Sequence, residues 1–543
     1  MAKADGKAGN WFRLALGHQE FVCTAELVLG RDHDALEAEE FVRAASQDAD
    51  GIKVISLTDL PGGNPALSPD SFASYVMEHR LTPIAHLSGK DGNRSALEAR
   101  LHGLARMGAE NVLALTGDAQ KEAFGGKGKP VHDLDSVLIL RLVEELRGGL
   151  EYSAGPRSAR TTPFDFFAGA VVNPFKVRES DLMMQLYKLR LKVAAGAQYV
   201  ITQIGFDLRK LQELKRYMER EGIGHIPVLA NVYVPTAKIA RMMRAGELAG
   251  CIVTDEFVKR LEGEKKPQRL ERAALMVAAA KDLGFAGAHI GGFGLVHNDF
   301  MTIVERAETI GNGWRGRMDE LVFASPGDFY LFREAAGGLS DGAAEYQTAR
   351  AKPRPSVVQR LSAAVHEHFI KDGSAGARFF GSRLRTEDHG GARRCIANNF
   401  WSGLLAPSGL YRKAALGCAD CGDCVQDHLS YAGCSMRWCY KELRNGPCGG
   451  SRANGNCEVH QDFPCVWNLV YEGTLALDDD PEKFAHVLVP PRDWRLDRTN
   501  ALANRFAGVD NYRKRVRREG SEKVESMNSK GVAAGAAAPS LRR

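Results

Sequence analysis

The chain has 543 residues, 44% of them hydrophobic and 26% charged, with a formal net charge of +5. That length suggests two to four domains, and the composition is ordinary for a globular protein. No apolar run reaches the roughly 18–20 residues that a membrane span needs, and the opening MAKADGKAGN lacks the apolar core of a secretory signal peptide, so a cytoplasmic protein with no membrane partner is expected.

The charge is unevenly placed. From Ala501 to Arg543 ten Lys or Arg stand against four Asp or Glu, a net of +6, which leaves the rest of the chain near −1. This basic tail (501–543) is poor in large apolar residues and is expected to be disordered or a short basic helix. A solvated tail is favoured over an arm for nucleic acid or an acidic partner.

From residue 21 onward short apolar runs alternate with amphipathic stretches. The spacing predicts strands at 21–27, 52–57, 83–87, 111–116, 168–173, 199–204, 226–232 and 286–292, each short and rich in β-branched or small residues, as strands buried on both faces should be. Helices are predicted at 34–48, 70–80, 93–108, 134–147, 180–195, 207–221, 236–245 and 267–283. In the third, Leu97, Leu101 and Leu104 share one face and Gly108 is a plausible cap. Eight strands each followed by a helix give an α/β fold of the (β/α)8 TIM-barrel type over 12–320. A doubly wound open sheet is the structural alternative. The run CIVTDEFVKRL (251–261) is an extra piece between strands seven and eight. Residues 337–356, rich in Gly, Ala, Pro and charge, read as a linker, and a smaller cysteine-rich domain is expected over 357–498.

Cys23, Cys251 and Cys395 stand apart; the other eight cysteines lie at 418, 421, 424, 434, 439, 448, 457 and 465. Without a signal peptide such a cluster points to metal rather than to disulfides. Cys418, Cys421, Cys424, Cys434, Cys439, Cys448, Cys457 and Cys465 could hold two iron–sulfur clusters, one cluster plus a zinc, or two zinc ions. The tight opening CADCGDC is more like a ferredoxin start than a zinc ribbon, although the ferredoxin ending C-x3-C-P is absent.

In such a barrel the active site lies at the C-terminal ends of the strands. Those ends carry Glu26, Thr58-Asp59, His86, Thr116-Gly117-Asp118, Asn173 and Gln203. Strand ends are polar in any barrel, so no single one of these is diagnostic. The ordered set TAE (24–26), LTDLPGGNPALSP (57–69), PIAHLSGKDGNR (83–94), NVLALTGD (111–118), VVNPF (171–175) and KVAAGAQYVITQIGFD (192–207) resembles the barrel of the methylenetetrahydrofolate reductase family. CADCGDC and NGPCGGS (445–451) resemble the cysteine-rich C-terminal domain fused to or partnered with some members.

The resemblance implies a flavin (FAD or FMN) across the strand ends, contacted by Thr58, His86, Leu115, Thr116, Gly117, Asp118, Asn173 and Lys192. It implies a folate substrate held by Glu26, Asp118 and Gln203, with Glu26 as general acid and Asp118 biasing the flavin. An acid of this kind works best when burial lifts its pKa toward neutrality. Interconversion of 5,10-methylene- and 5-methyltetrahydrofolate is the implied activity, in either direction. The chain departs from the better-known bacterial pattern at Thr116, Asn173, Leu191 and the segment His289-Ile290-Gly291-Gly292-Phe293, which leaves the electron donor open between NAD(P)H and ferredoxin or a similar carrier. A homo-oligomer is the expected assembly. Two rival readings are a scaffold with structural zinc docking to a folate-dependent methyltransferase, and a zinc methyltransferase.

Overall fold

The computed structural model of the protein describes residues 10–33, 35–342, 344–347, 352–384 and 400–510; Cys395 and residues 511–543 of the expected tail lie outside them. The chain divides into two compact units, the first comprising Met1–Lys352, Asn445–Glu472 and Asp480–Leu488, the second Pro353–Arg444, Gly473–Asp479 and Val489–Arg543.

In the first unit the strands β1 (Val22–Leu27), β2 (Val54–Leu57), β3 (Thr82–Ser88), β4 (Asn111–Leu115), β5 (Phe167–Val172), β6 (Tyr199–Thr202), β7 (Val228–Tyr233) and β8 (Gly287–Gly291) each lie within two residues of the predicted spans. They form a closed parallel barrel in sequence order. The closing seam sets Val22 beside Gly287 and Thr24 beside His289. The expected TIM barrel is therefore the fold.

Side chains alternate across each strand, and the barrel uses both faces. Outward residues such as Ala25, Leu27, Ile55, Leu57, Val112 and Val228 join the main core under the helices. Inward residues Val22, Val54, Ile84, Leu113, Phe167, Tyr199, Ile201 and Leu229 form a separate inner core with Phe12. Phe12 comes from a helix absent from the expectations, α1 (Trp11–Gly17), whose N-cap Asn10 accepts from Arg13 N. Its ring meets Phe167 and Tyr199 edge-on at 5.6 and 5.2 Å. Tyr199 lies across Gly169, where a Cβ would fall 2.2 Å from its ring. The base of the barrel is thus plugged with apolar side chains.

The helices after the first seven strands are α2 (Leu36–Gln47), α3 (Pro69–Glu78), α4 (Arg94–Met107), α5 (Ser136–Gly148), α6 (Glu179–Ala194), α7 (Leu208–Arg220) and α8 (Ala237–Ala245). Then come α9 (Asp255–Glu262), α10 (Lys266–Asp282), before β8, and α11 (His297–Ile310) after it. In α4, Leu97, Leu101 and Leu104 are all fully buried, each contributing about 1.5–3 kcal/mol by leaving water. Asn93 caps its start, and Gly108, at φ +88°, ends it. The extra run after β7 forms α9, capped by Thr254. No helix among the described residues is long and apolar enough to cross a membrane.

The domain boundaries differ from the expected ones in three places. Much of the 337–356 segment is packed rather than linking: Ser340 is buried, donates to Glu213 and accepts from Arg209, so it completes the polar bonding of α7. Residues 445–472 and 480–488, expected in the second domain, belong to the barrel unit. Residues 501–507, expected in the basic tail, form a helix capped by Asn500 and ended by Gly508. Its Leu502, Ala503, Phe506 and Ala507 pack with Phe380, Leu384, Leu405 and Leu496 in the core of the second unit.

Candidate active site

The alternation that fills the barrel base with apolar residues lines its other end with polar ones. Two positions beyond Val22 is Thr24 and then Glu26; beyond Val54, Ser56 and Thr58; beyond Ile84, His86 and Ser88; beyond Leu229, Asn231. Strand β8 offers His289 at the same level. Its imidazole bridges two groups of β1: Nδ1 lies 2.7 Å from Thr24 Oγ1 and Nε2 3.1 Å from Glu26 Oε2. His86 Nε2 lies 2.8 Å from Ser56 Oγ. A Cβ on Gly291 would sit 3.3 Å from Glu26 Oε1, so the glycine leaves the carboxylate room.

Burial pushes the Glu26 carboxyl up, but the hydrogen bond and charge of His289 and the charge of His86 outweigh it and hold Glu26 below its ordinary value. The expectation that burial would lift this acid toward neutrality is reversed, because the expectation lacked the histidine partner. Burial pushes His86 down to about 4, with the Glu26 charge opposing, so His86 faces the site as a neutral imidazole.

The other strand-end residues divide into two groups. Thr58 is buried; its hydroxyl accepts from Leu29 N and donates to Leu27 O, pinning the loop after β1. Leu115 packs on the inner core. Thr116 Oγ1 lies 3.4 Å from Ser136 Oγ. Gly117 has φ +86°, and a Cβ there would fall 2.1 Å from Ser88 Oγ; only glycine fits this turn. Burial pushes the Cys251 thiol up to about 12, the Asp118 and Glu26 charges adding to it and Lys176 opposing. Gln203 Oε1 accepts from Ile204 N, and its Nε2 faces Gly250. These residues share the mouth of the barrel.

Asn173 and Lys192 are both hydrogen-bonded to backbone. Asn173 Nδ2 donates to Gly250 O at 2.9 Å and Gly449 O at 3.1 Å, and its Oδ1 accepts from Phe175 N. Both amide hydrogens are therefore used on backbone, one of them in the cysteine-rich segment. Lys192 is buried and donates to Val171 O. Burial and the Lys188 charge push its amine down to about 7, while Asp135 and Cys448 oppose. Asn173 thus ties the strand-five end to Gly449, and Lys192 bonds β5 at Val171.

That bracing uses residues not anticipated. Lys176 Nζ donates to Ser451 O at 2.7 Å, Ser451 Oγ to Asp181 at 2.6 Å, and Lys188 Nζ to Gly446 O at 3.2 Å. Lys188 also pairs with Asp135 at 3.6 Å. Burial pushes Lys176 down, with Asp181, Cys448, Cys465 and Glu458 opposing. Cys448, Cys457 and Cys465 thus belong to the barrel unit, and Cys448 Sγ lies 3.4 Å from Glu458 Oε1.

Cys418, Cys421, Cys424 and Cys434 lie together in the second unit, around one small pocket with Arg412, Met436 and Thr499. Burial is the first cause raising Cys421 to about 11 and Cys424 to about 12; neighbouring thiols add to it, while Arg412 lowers Cys424. Cys439 follows in the same unit, with its N–H bonded to Ser435 O. No group of three or more His, Cys, Asp or Glu side chains is set at metal-holding geometry among the described residues.

A family model described as methylenetetrahydrofolate reductase matches residues 18–285. A second, described as methylene-tetrahydrofolate reductase C terminal, matches residues 405–495. Methylenetetrahydrofolate reductase 2 of Schizosaccharomyces pombe is 23% identical over 193 residues, 34% of this chain and 28% of the relative; the match thus spans less than a third of that relative's length. Among solved structures, a Clostridium thermocellum protein described as binding two copies of 5-methyl-5,6,7,8-tetrahydrofolic acid aligns over 55% of this chain and 99% of its own, at 12% identity and a TM-score of 0.37. A 2,3-dimethylmalate lyase aligns over 56% and 84%, at 13% identity and a TM-score of 0.32.

Proposed function

Because the chain belongs to the methylenetetrahydrofolate reductase family, we propose that it interconverts 5,10-methylenetetrahydrofolate and 5-methyltetrahydrofolate at the mouth of the barrel, with a flavin as hydride carrier. The observation that carries this reading is the Glu26 carboxyl, set among the polar strand ends above an apolar plug and bonded to His289. The donor set suits a flavin ring, FAD or FMN: the neutral His86, the Gly117 turn and Asp118 share one mouth. When bound, the flavin supplies the hydride.

The protein supplies the rest. Opening the methylene bridge needs a proton on N10 of the folate, and Glu26 is the group to deliver it. Asp118 and Gln203 are suited to orient the pterin, since both reach the same mouth through the loop of Gly250 and Cys251. The reverse reaction uses the same groups.

The four-thiol pocket suits an anionic metal–thiolate centre. Arg412 lines it, and its Nε is buried without a partner; a cluster or zinc carrying net negative charge from Cys418, Cys421, Cys424 and Cys434 would satisfy it. Cys448, Cys457 and Cys465 are soft donors for a second site. Buried Gln185 Nε2 also lacks a partner, on the helix beside Gly449. Iron–sulfur centres would pass electrons from a carrier such as ferredoxin; zinc would be structural.

The test is anaerobic purification followed by a visible spectrum, metal content and folate turnover. Glu26→Gln is expected to lower turnover by on the order of 10² or more with flavin retained. Full activity in that variant would remove Glu26 from the chemistry, and a flavin-free wild-type protein would overturn the reductase reading in favour of a binding module.

A further inference from the structure

We propose that His289 is the positioning residue of this site, orienting the Glu26 carboxylate and reloading its proton. The inference rests on the reductase reading above and adds a residue that the family resemblance did not supply. It stands on geometry. His289 is 1% exposed and is held at both nitrogens, by Thr24 and by Glu26. The closing seam of the barrel fixes that placement, because Thr24 and His289 are register partners and Glu26 lies two positions further along the same face.

An imidazole fixed at both ends does two things for a carboxylate. It holds the carboxylate in one place, and it passes a proton to it along their hydrogen bond. Loaded, His289 is an imidazolium whose Nε2–H donates to Glu26 and whose Nδ1–H donates to Thr24. The Nε2 proton passes to Glu26, and the carboxyl gives its proton to N10 of the folate. An N10–H bond forms, the N10–methylene bond breaks with its electron pair staying on N10, and an N5 iminium is left. His289 ends neutral, with its hydrogen on Nδ1, and the pair regains one proton from water. The step balances before any hydride arrives.

The other charged or titratable groups facing this pair are few. Among the described residues they are His86 from β3, Tyr233 from β7, Asp118 after β4 and Cys251 after β7. His86 is neutral near pH 7, and burial pushes Tyr233 up to about 12. Among these groups His289 is the one hydrogen-bonded to the Glu26 side chain.

The experiment is an infrared titration of the Glu26 carboxyl in the full-length protein, with Glu26→Gln assigning the band, run on wild type, His289→Gln and Thr24→Val, alongside the pH profile of kcat. In His289→Gln the Glu26 band is expected to titrate at higher pH than in wild type. Its kcat should fall about tenfold to a hundredfold and lose the limb that the histidine contributes. Thr24→Val, which reaches the imidazole through Nδ1 and keeps the strand intact, should move both readouts the same way by less. A Glu26 band unmoved in both variants, or an unchanged pH profile in His289→Gln, overturns the proposal. Absence of folate turnover in wild type is a failure of the reductase reading instead, and the infrared titration still decides the role of His289.

Discussion

The clustered cysteines sit in two settings that differ in what holds them. Cys418, Cys421, Cys424 and Cys434 come from one stretch of chain and surround a pocket built within the second unit. Their framework is nearby in sequence or in the same small core: Arg444 pairs with Asp423 at 3.0 Å, and Asp493 N donates to Asp423 Oδ2. Cys448, Cys457 and Cys465 instead ride on the barrel. Their loop is tied to β5 and α6 by bonds that join residues about 260–280 positions apart, from Asn173, Lys176, Asp181 and Lys188. A thiol set made locally can be lost without harm elsewhere. One made by docking onto the barrel depends on the barrel's own buried polar groups.

The largest break of that comparison is Cys421→Ser. It is expected to remove the metal of the four-thiol pocket and to leave any metal at Cys448, Cys457 and Cys465 in place, as read by iron and zinc content per chain. An unaltered content would mean the pocket holds no metal; complete loss would mean the two settings are one.

Lys176→Met attacks the other setting. Lys176 is 1% exposed, and removing its ammonium leaves the Ser451 carbonyl without this partner in a buried site, a loss on the order of 1–3 kcal/mol. Denaturant unfolding should show it, and hydrogen exchange should quicken over 446–451 while 418–434 stays protected. Equal loosening of both stretches would erase the distinction.

The pattern of what could be foreseen follows the same division. The strands, the apolar face of α4 and the placement of Glu26, Thr58, His86 and Gly117 at strand ends all follow from period-two or helical spacing, which is local. The partnership of His289 with Glu26 is not legible in the sequence, because it exists only once β8 closes on β1, 263 positions away. Nothing local in VVNPF reports the bond from Asn173 to Gly449, 276 positions away. The helix at 501–507 has readable caps in Asn500 and Gly508, of which the basic charge of 501–543 as a whole says nothing. Ser340 lay in a Gly- and Ala-rich stretch whose composition says nothing of its bond to Glu213.

Acid separates the barrel mouth from the thiol pocket. His86 is pushed from 6.5 down to about 4 in the fold, so the folded state prefers the neutral ring. A penalty builds as pH falls from the unfolded value to the folded one, amounting to about 3 kcal/mol at roughly 1.4 kcal/mol per unit. Glu26, held below its ordinary 4.5, contributes stability above that value and loses it as pH falls through its folded pKa. Both act in the same direction, so the barrel unit should weaken on acidification. His86→Gln is expected to remove the earlier part of the loss; denaturant midpoints at neutral and mildly acid pH check this, and an unchanged slope would mean His86 is not held neutral.

The finest distinction is Asn173→Ala. One side chain holds three backbone groups: the carbonyls of Gly250 and Gly449 and the N–H of Phe175. Truncation leaves each of them without this partner, and one such buried group costs about 1–3 kcal/mol unless water enters. Because Asn173 stands where β5 ends, the change should speed hydrogen exchange at both 249–251 and 448–450 while leaving the flavin spectrum as it was. Flavin loss with the exchange unchanged would return Asn173 to the cofactor, as the family resemblance implied. Faster exchange with flavin retained would make it the joint through which the barrel holds its own cysteine loop.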